Sequence, residues 1–315
     1  MKPIQGIHHI TSFASDPQRN VDFYHRVLGQ RLVKTTVNFD DPGTYHLYYG
    51  DEVGTPGTIM TYFPWPGARR GRVGNGEAGA VAYTIRPDSL PFWQERLAAA
   101  GISIGQTSQR FGATVLPFQD PDGMVIELIT DDASATIQPW LDGPVPADHI
   151  IQGFHSTTLN VHNAAATATL LQSQFGFNLA GQEGSRYRLA AAGNDIGQYI
   201  DLLERPGQPR GQMGAGSVHH IAFRTVDDSE QLEYLAQLRA AGVGVTDVKD
   251  RQYFRSIYFR EPNGILFEVA TDAPGFPYDE PVAELGHNLK LPAWLEPHRT
   301  EIQQVLPPLD LSLIR

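Results

Sequence analysis

Two histidine doublets and one glutamate are the side chains of this sequence best suited to metal chemistry. His8-His9 lies in the extended apolar run GIHHIT, and His219-His220 lies in a second run, SVHHIAF. Glu268 interrupts a third apolar run, GILFEVATD. Two imidazoles and one carboxylate that converge from strands would form a facial triad, which suits a divalent metal and above all Fe(II) in oxygenases. The alternative is that these are hydrogen-bonded polar residues of a β-sheet.

Strand geometry decides which histidine of each doublet can reach a shared site. Successive side chains of a strand point to opposite faces, so adjacent histidines diverge. One member of each doublet can therefore face a pocket while its neighbour packs behind it. The elements that carry these residues must then be strands whose faces meet.

Composition restricts the class of protein. A chain of 315 residues with 41% hydrophobic residues can bury the cores of two domains or of one large one. Its first ten residues, MKPIQGIHHI, lack the apolar region of a signal peptide, and no apolar run approaches the ~20 residues of a membrane span, so we expect a cytoplasmic protein without a membrane partner. The net charge of −11 and the absence of a basic stripe argue against a nucleic-acid partner. With 0 cysteines, any metal must be held by His, Asp or Glu.

The chain contains internal repeats. FQDPDGMVIELITD (118–131) and FREPNGILFEVATD (259–272) are identical at six of fourteen positions, with an offset of 141. The segments LAAAGI (97–102) and LRAAGV (238–243) have the same offset, and each indicates a helix end stopped by glycine. The repeated unit is therefore a strand, a helix, a strand and a hairpin turned by DPDG or EPNG. A fainter similarity between GIHHIT and GFHSTT adds a second repeated unit.

These repeats predict four βαβββ modules arranged as a duplicated pair. We expect an N-terminal domain at 1–135 and a C-terminal domain at 150–273, each with two modules, and a proline-rich tail at 274–315 with one helix near 293–304. The glycine-rich segment GRVGNG after the first module predicts a flexible connector rather than a phosphate loop. The predicted modules cover, in chain order, about 5–65, 78–132, 152–205 and 216–272.

With these paired βαβββ modules, the chain resembles the vicinal oxygen chelate superfamily (glyoxalases, bleomycin resistance proteins and extradiol dioxygenases). GIHHIT, YHLYYGDEVGTPGTIMTYFP, SVHHIAF and the stretch from Arg251 through Glu268 resemble the ring-cleaving dioxygenases that open hydroquinones, and this similarity spans essentially the whole chain. The resemblance implies an α+β fold, with four βαβββ modules in two tandem domains that form open mixed β-barrels with helices outside. It also implies Fe(2+) as cofactor, with Zn or Mn as alternatives in a purified sample, and a small aromatic substrate with O2 as partners. It leaves open whether the chain forms a homo-oligomer.

The resemblance also implies roles for individual residues. It makes His9, His220 and Glu268 the iron ligands. Strand alternation places Thr11 on the same face as His9. The resemblance places five further residues around the substrate. Three have catalytic roles: Tyr258, Arg251 and His219. Two are binding groups: His8 and Thr11.

Strand alternation supports these roles unequally. Arg251 and Tyr258 are seven residues apart and would lie on opposite faces of a regular strand. Both can face one pocket only through a bulge, or if Arg251 approaches from a loop. Alternation also turns His8 and His219 away from the ligand face, which favours a supporting or packing role for each.

Repeat alignment indicates which modules can share a metal. The first-strand position is a histidine only in modules one and four, as His9 and His220. Pairing these modules yields two histidines and one carboxylate, whereas pairing modules three and four yields one histidine and two carboxylates, as in catechol-type extradiol relatives. Modules two and three offer only carboxylates, so we expect one metal site per chain and a structural second barrel. The last-strand position holds, in module order, Thr61, Glu127, Asp201 and Glu268.

Three other functions stay open at this point: a catechol extradiol dioxygenase, a glyoxalase-like metal-dependent isomerase, and a non-catalytic resistance protein that binds aromatic compounds. The isomerase would need its second carboxylate at Thr61, where threonine is a poor substitute. The binding protein would not require the triad. His46 and Tyr48 share a strand face, and they either line the pocket or belong to the core of module one.

Overall fold

Two curled, mixed sheets of eight strands each form the centre of the molecule, with the helices outside. The computed structural model describes residues 2–132, 137–193 and 196–312. The predicted α+β class and the βαβββ order of the modules are confirmed. Within the described residues, no helix is long and apolar enough to cross a membrane.

The first two modules occupy the first 130 residues. The first consists of strand β1 (Ile7–Ala14), helix α1 (Pro17–Val21) with a π-helical continuation (Asp22–Val27), and strands β2 (Arg31–Asn38), β3 (Asp41–Gly50) and β4 (Ile59–Pro64). The second consists of strand β5 (Glu77–Ile85), helix α2 (Leu90–Ala99), and strands β6 (Ser108–Arg110), β7 (Ala113–Gln119) and β8 (Val125–Thr130).

The other two modules and the tail follow the same order. The third consists of strand β9 (Phe154–Val161), helix α3 (Ala164–Phe175), and strands β10 (Asn178–Glu183), β11 (Arg186–Ala190) and β12 (Tyr199–Glu204). The fourth consists of strand β13 (Val218–Thr225), helix α4 (Asp228–Ala240), and strands β14 (Lys249–Asp250), β15 (Arg255–Arg260) and β16 (Leu266–Thr271). The tail carries helix α5 (Arg299–Val305).

Local sequence explains where the helices begin and end. The Asn163 side chain accepts a hydrogen bond from the backbone N–H of Ala166 and so caps α3, and Asp227 caps α4 in the same way. Gly176 ends α3 in the left-handed conformation that glycine adopts without strain. Helix α5 begins later than the predicted 293–304, because Pro297 lacks an N–H and lies in a preceding 3₁₀ turn.

Each sheet joins modules that are distant in the sequence. The first sheet has the order β14-β15-β16-β13-β1-β4-β3-β2 and so combines the fourth module with the first. The second has the order β10-β11-β12-β9-β5-β8-β7-β6 and combines the third with the second. At each centre two first strands pair antiparallel, which covers an edge that a lone module would leave exposed. The domain ranges 1–135, 150–273 and 274–315 stay a prediction, and residue 135 lies outside the described residues.

The glycine-rich connector after the first module is held by backbone pairing rather than free. It lies against the connector between the third and fourth modules, where Arg72 and Gln212 exchange two backbone hydrogen bonds of 2.8 and 2.9 Å. A Cβ atom on Gly74 would lie 2.5 Å from the backbone nitrogen of Gly211, so only glycine fits there. The expected flexibility is therefore not what the structure shows, since the contact forms between segments remote in sequence.

The two faces of the first sheet have different surroundings. One face packs in the main hydrophobic core, which also contains Trp93, Phe175 and Tyr234 from the outer helices. The opposite, concave face carries polar residues and a smaller apolar cluster that includes Tyr48 and the tail residue Phe276. The functional side chains lie on this concave face.

Candidate metal centre

Strand register brings the triad together. Thr11 of β1 pairs with His220 of β13, His9 pairs with Ala222, and Ala222 pairs in turn with Glu268 of β16. Residues opposite each other in a ladder project from the same face. The side chains of His9, His220 and Glu268 therefore converge from three adjacent strands, as the pairing of modules one and four requires.

The three side chains have the geometry of a metal site. The Nε2 atoms of His9 and His220 are 3.2 Å apart, and Glu268 Oε2 lies 2.8 Å from His220 Nε2 and 3.4 Å from His9 Nε2. Three ligands on one octahedral face, each about 2.1 Å from an ion, would be about 3 Å apart. All three residues are buried, and among the described residues they are the group of three that could hold a metal ion.

The charges at this site also suit a divalent cation. Burial by itself raises the pKa of Glu268, but His9 and His220 outweigh it and hold that pKa well below its usual range. Burial lowers the pKa of His220, which favours the neutral imidazole that a metal needs. Glu268 Oε1 accepts a hydrogen bond from Ser256 Oγ, whereas buried Oε2 has no aligned hydrogen bond within the described part of the chain. A negative oxygen and two imidazole nitrogens thus point at one place.

The first histidine of each doublet lies at a β-bulge. His8 is an extra residue in β1, and His219 is an extra residue in β13, so neither has a partner opposite in the ladder. Bulges re-aim side chains. His8 Nδ1 lies 2.9 Å from His9 Nδ1, and His219 Nδ1 lies 2.8 Å from His220 Nδ1. A bulge interrupts the alternation at each doublet, so each first histidine lies beside the second, and His219 lines the cavity whereas His8 does not.

A cavity with about 500 Å³ of empty space, part of it open to solvent, lies against His9 and His220 of the triad. Of the described residues that were predicted to contact substrate, His8 and Thr11 lie behind the wall, whereas Tyr258, Arg251 and His219 line it. The other lining residues, besides His9 and His220, are Asn38, Phe39, Asp40, His46, Tyr48, Phe63 and Phe254.

Arg251 reaches the cavity from a turn. It follows β14 directly, and the next residue, Gln252, has a positive φ of 67°. Of the two predicted routes, the loop is the one observed. Arg251 Nε donates a hydrogen bond of 3.1 Å to Tyr258 Oη, and Arg251 Nη2 lies 2.9 Å from Asp40 Oδ2. Burial raises the pKa of Tyr258, so its hydroxyl stays protonated at neutral pH.

The wall formed by module one carries a chain of polar contacts. Tyr48 Oη lies 2.8 Å from His46 Nδ1, and His46 Nε2 lies 2.8 Å from Thr61 Oγ1. Thr61 Oγ1 donates to Thr11 Oγ1 at 2.9 Å. His46 and Tyr48 thus line the pocket, an alternative that sequence reasoning had left open. Their shared strand face was the available signal, whereas nothing in the sequence indicated Asp40, which lies in a hairpin turn.

In the second sheet, arginines pair with the carboxylates at the two last-strand positions, Glu127 and Asp201. Arg110 forms two hydrogen bonds of 2.6 and 2.8 Å with Glu127. Arg188 forms two of 2.8 and 2.9 Å with Asp201, and Arg186 lies 3.2 Å from the same carboxylate. Each carboxylate is therefore neutralised by arginine.

Comparison with known proteins identifies the fold family. A family model described as the Glyoxalase/Bleomycin resistance protein/Dioxygenase superfamily matches residues 6–128 and 153–269. The chain is 47% identical over 310 residues to MhqO of Bacillus subtilis (strain 168), provisionally named a ring-cleaving dioxygenase, with 98% of each chain covered. It is 36% identical over 315 residues to chlorohydroquinone/hydroquinone 1,2-dioxygenase of Sphingobium indicum, with 96% of each covered.

Solved structures agree with this result. The crystal structure of a protein from Bacillus subtilis subsp. subtilis str. 168, provisionally described as a dioxygenase, superposes with a TM-score of 0.95 at 47% identity, covering 99% of both chains. Glyoxalase I from Zea mays has the same fold, with a TM-score of 0.66 at 15% identity, covering 90% of this chain and 97% of the other. The two matched segments coincide with the two halves of the internal repeat. This chain belongs to the Glyoxalase/Bleomycin resistance protein/Dioxygenase superfamily.

Proposed function

We propose that this protein is an Fe(II)-dependent ring-cleaving dioxygenase, an oxidoreductase that opens hydroquinone-type aromatic rings and incorporates both atoms of O2. The observation that carries the proposal is the two-histidine, one-carboxylate triad facing a cavity with aromatic walls. The names of its relatives, which include a chlorohydroquinone/hydroquinone 1,2-dioxygenase, support the same reaction.

In this proposal His9, His220 and Glu268 hold the iron. A facial triad leaves coordination positions for small molecules, so bound Fe(II) would supply adjacent sites for substrate and O2 and a route for electrons between them. His8 and His219 contact the Nδ1 atoms of His9 and His220. They would fix the orientation of each ligand ring, as outer hydrogen-bond partners of metal-bound histidines do.

Other residues would contact the aromatic ring and exchange hydrogen bonds or protons with its hydroxyl groups. Tyr258 keeps its proton and receives a hydrogen bond from Arg251, so it can donate its own proton to a substrate oxygen. His219 also lines the cavity, and burial lowers its pKa to about 3, which leaves a neutral ring able to accept a hydrogen bond. Thr11 would act indirectly through Thr61, because their hydroxyls are hydrogen-bonded. Phe254, whose ring centroid is 4.9 Å from that of His9, would form an apolar wall.

Two observations favour this reaction over the alternatives. An isomerase would need a second carboxylate at the position of Thr61, but the Thr61 hydroxyl donates to Thr11 and contacts His46. A catechol can chelate a metal through two adjacent oxygens, whereas a 1,4-hydroquinone presents one and needs polar groups elsewhere in the pocket. Tyr258 and Tyr48 supply such groups on two walls.

The direct test is oxygen consumption. Protein loaded with Fe(II) under anaerobic conditions should consume O2 when hydroquinone is added and release a ring-opened product. It should prefer hydroquinone to catechol in kcat/KM. A catechol preference beyond about tenfold, equivalent to about 1.4 kcal/mol in the transition state, would support the extradiol alternative, and no uptake with either substrate would overturn the proposal.

A further inference from the structure

Two tyrosines line the cavity, and the hydrogen bonds of their hydroxyls differ in direction. Tyr258 Oη accepts a hydrogen bond from Arg251 Nε, a group that can only donate. Arg251 therefore leaves Tyr258 its own proton to donate. Tyr48 Oη contacts His46 Nδ1 instead, and a histidine nitrogen can either donate or accept. The position of the hydrogen on the His46 ring thus decides whether Tyr48 presents a hydrogen-bond donor or an acceptor to the cavity.

Thr61 and Thr11 determine which nitrogen of the His46 ring carries the hydrogen. Thr61 donates its only hydroxyl proton to Thr11, so towards His46 it can only accept. His46 Nε2, 2.8 Å from Thr61 Oγ1, must then carry the hydrogen. Burial lowers the pKa of His46 well below its usual value, so the ring is neutral and its Nδ1 is left bare. Tyr48 must donate its proton to Nδ1, and its oxygen is left as an acceptor.

Tyr48 lines the cavity beside the triad. Tyr48 and His46 both line the cavity, with their ring centroids 4.0 Å apart. Burial raises the pKa of Tyr48 well above its usual value, so its hydroxyl keeps its proton. In the part of the chain that the structure describes, Tyr48 Oη has no hydrogen-bond partner other than His46. A ligand can therefore donate to it.

We propose that Tyr48 is a specificity-determining residue that accepts a hydrogen bond from the substrate hydroxyl remote from the metal. The chain formed by His46, Thr61 and Thr11 holds Tyr48 in this acceptor state. The inference rests on the proposed function and deepens it. In this state Tyr48 favours aromatic rings that have one oxygen for the metal and a hydrogen-bond donor on the part of the ring remote from the metal. It disfavours rings with an ether or no polar group at that remote position.

The test measures binding, independently of turnover. Full-length protein loaded with Fe(II) is titrated without oxygen, by calorimetry, with hydroquinone, 4-aminophenol, phenol and 4-methoxyphenol. The first two carry a second donor, and the last two do not. We expect the donor-bearing pair to bind about tenfold tighter, because an unpaired buried acceptor is costly. In Tyr48→Phe the difference should shrink to about threefold or less, with phenol affinity little changed.

Two further variants separate the hydrogen-bond chain from simple packing. Thr61→Val removes the acceptor for His46 Nε2 while Tyr48 stays in place, so the donor preference should fall as it does in Tyr48→Phe. Tyr49→Phe is the matched control, because Tyr49 is the next residue of β3, faces the core and donates to Asn20. It should keep the full preference.

The outcomes distinguish this inference from the proposed function. If the wild type consumes O2 with hydroquinone but Tyr48→Phe and Thr61→Val keep the tenfold preference, the inference fails and the proposed function stands. If the wild type neither binds hydroquinone nor consumes O2 with it, both fail. Loss of the preference in both variants, with Tyr49→Phe unchanged, supports the inference.

Discussion

At the scale of single residues, the doublets show how a backbone irregularity changes what a side chain can do. His8 and His219 each occupy a bulge, and each places Nδ1 within 2.9 Å of the Nδ1 atom of the following histidine. A regular strand would have sent the two rings of a doublet to opposite faces. The bulges let one histidine orient the next, so the site has two layers of imidazoles.

We expect His8→Leu to weaken metal binding by about 10–100-fold, the usual effect of losing an outer hydrogen-bond partner. His8→Asn should recover most of the affinity, because an amide oxygen can accept the His9 Nδ1 proton. Competition with a chelator measures the constant. His155→Leu is a matched control, since His155 occupies the corresponding bulge of the second sheet. Unchanged affinity in His8→Leu would assign His8 to packing alone.

His9→Ala should abolish tight metal binding, because it removes one of three ligands. Asp201→Ala should leave metal content near that of the wild type, since Asp201 lies in the second sheet and pairs with Arg188. Metal analysis after anaerobic loading tests both, with circular dichroism to show that each variant is folded. An iron-replete His9→Ala protein would mean that module one does not supply the metal site.

His155 should make stability depend on pH. Burial, and then the charge of Arg188, lower its pKa to about 4, whereas an unfolded histidine has a pKa of about 6.5. Because the folded pKa is depressed, this contribution is complete above pH ~6.5 and is lost as the pH falls towards 4, by up to about 3 kcal/mol. Urea unfolding of the wild type and His155→Gln across this window measures the difference. Parallel pH profiles would refute the assignment.

At the scale of elements, two sheets of the same topology have diverged at the same positions. The first sheet brings His9, His220 and Glu268 together, whereas the second pairs its carboxylates with arginines. A buried carboxylate needs a nearby positive charge. A metal ion would supply that charge in one sheet, and guanidinium groups supply it in the other, so the second sheet keeps its acidic residues without needing an ion.

Arg110→Met should destabilise the protein by about 3 kcal/mol or more, because it leaves Glu127, only 8% exposed, without its partner. The double variant Arg110→Met/Glu127→Leu should recover much of that loss, since an apolar pair carries no buried charge. Chemical denaturation gives the free energies, and metal affinity should stay constant throughout. If the double variant is as unstable as the single one, packing rather than charge explains the loss.

At the scale of the whole molecule, the site depends on both ends of the chain. The first and fourth modules form one sheet, and the tail then crosses its concave side, where Phe276 packs against Tyr48 with ring centroids 5.0 Å apart. Lys34, fully buried in β2, contacts Asp279 and Glu280 of the tail at 2.6 and 2.5 Å. The tail therefore supports the wall that carries Tyr48.

Lys34→Met should release the tail and destabilise the protein by about 3–5 kcal/mol, because buried Glu280 loses the cation with which it pairs. Thermal unfolding should shift downward, and limited proteolysis should cut the tail sooner. Lys249→Met, at an exposed position of β14, is the control and should change neither result. Equal protease resistance of the two variants would show that the tail is held by apolar contacts.

The sequence by itself determined the repeated modules, the α+β class and the residue types of the triad. These follow from local patterns, since alternation, helix-stopping glycines and turn motifs such as EPNG act over a few residues. The comparison of repeats also indicated that modules one and four hold the two histidines. That prediction needed no structure, because equivalent positions in a duplicated chain can be compared directly.

Only the tertiary structure decided how those elements meet. The bulges at His8 and His219, the turn that carries Arg251 and the contact between Tyr48 and His46 depend on register and loop geometry. His9 and His220 are 211 positions apart, and their contact exists because two first strands pair antiparallel. Periodicity fixes which face a side chain occupies relative to its own strand, but a partner strand fixes which faces meet. The site is therefore encoded locally and assembled only by strand pairing.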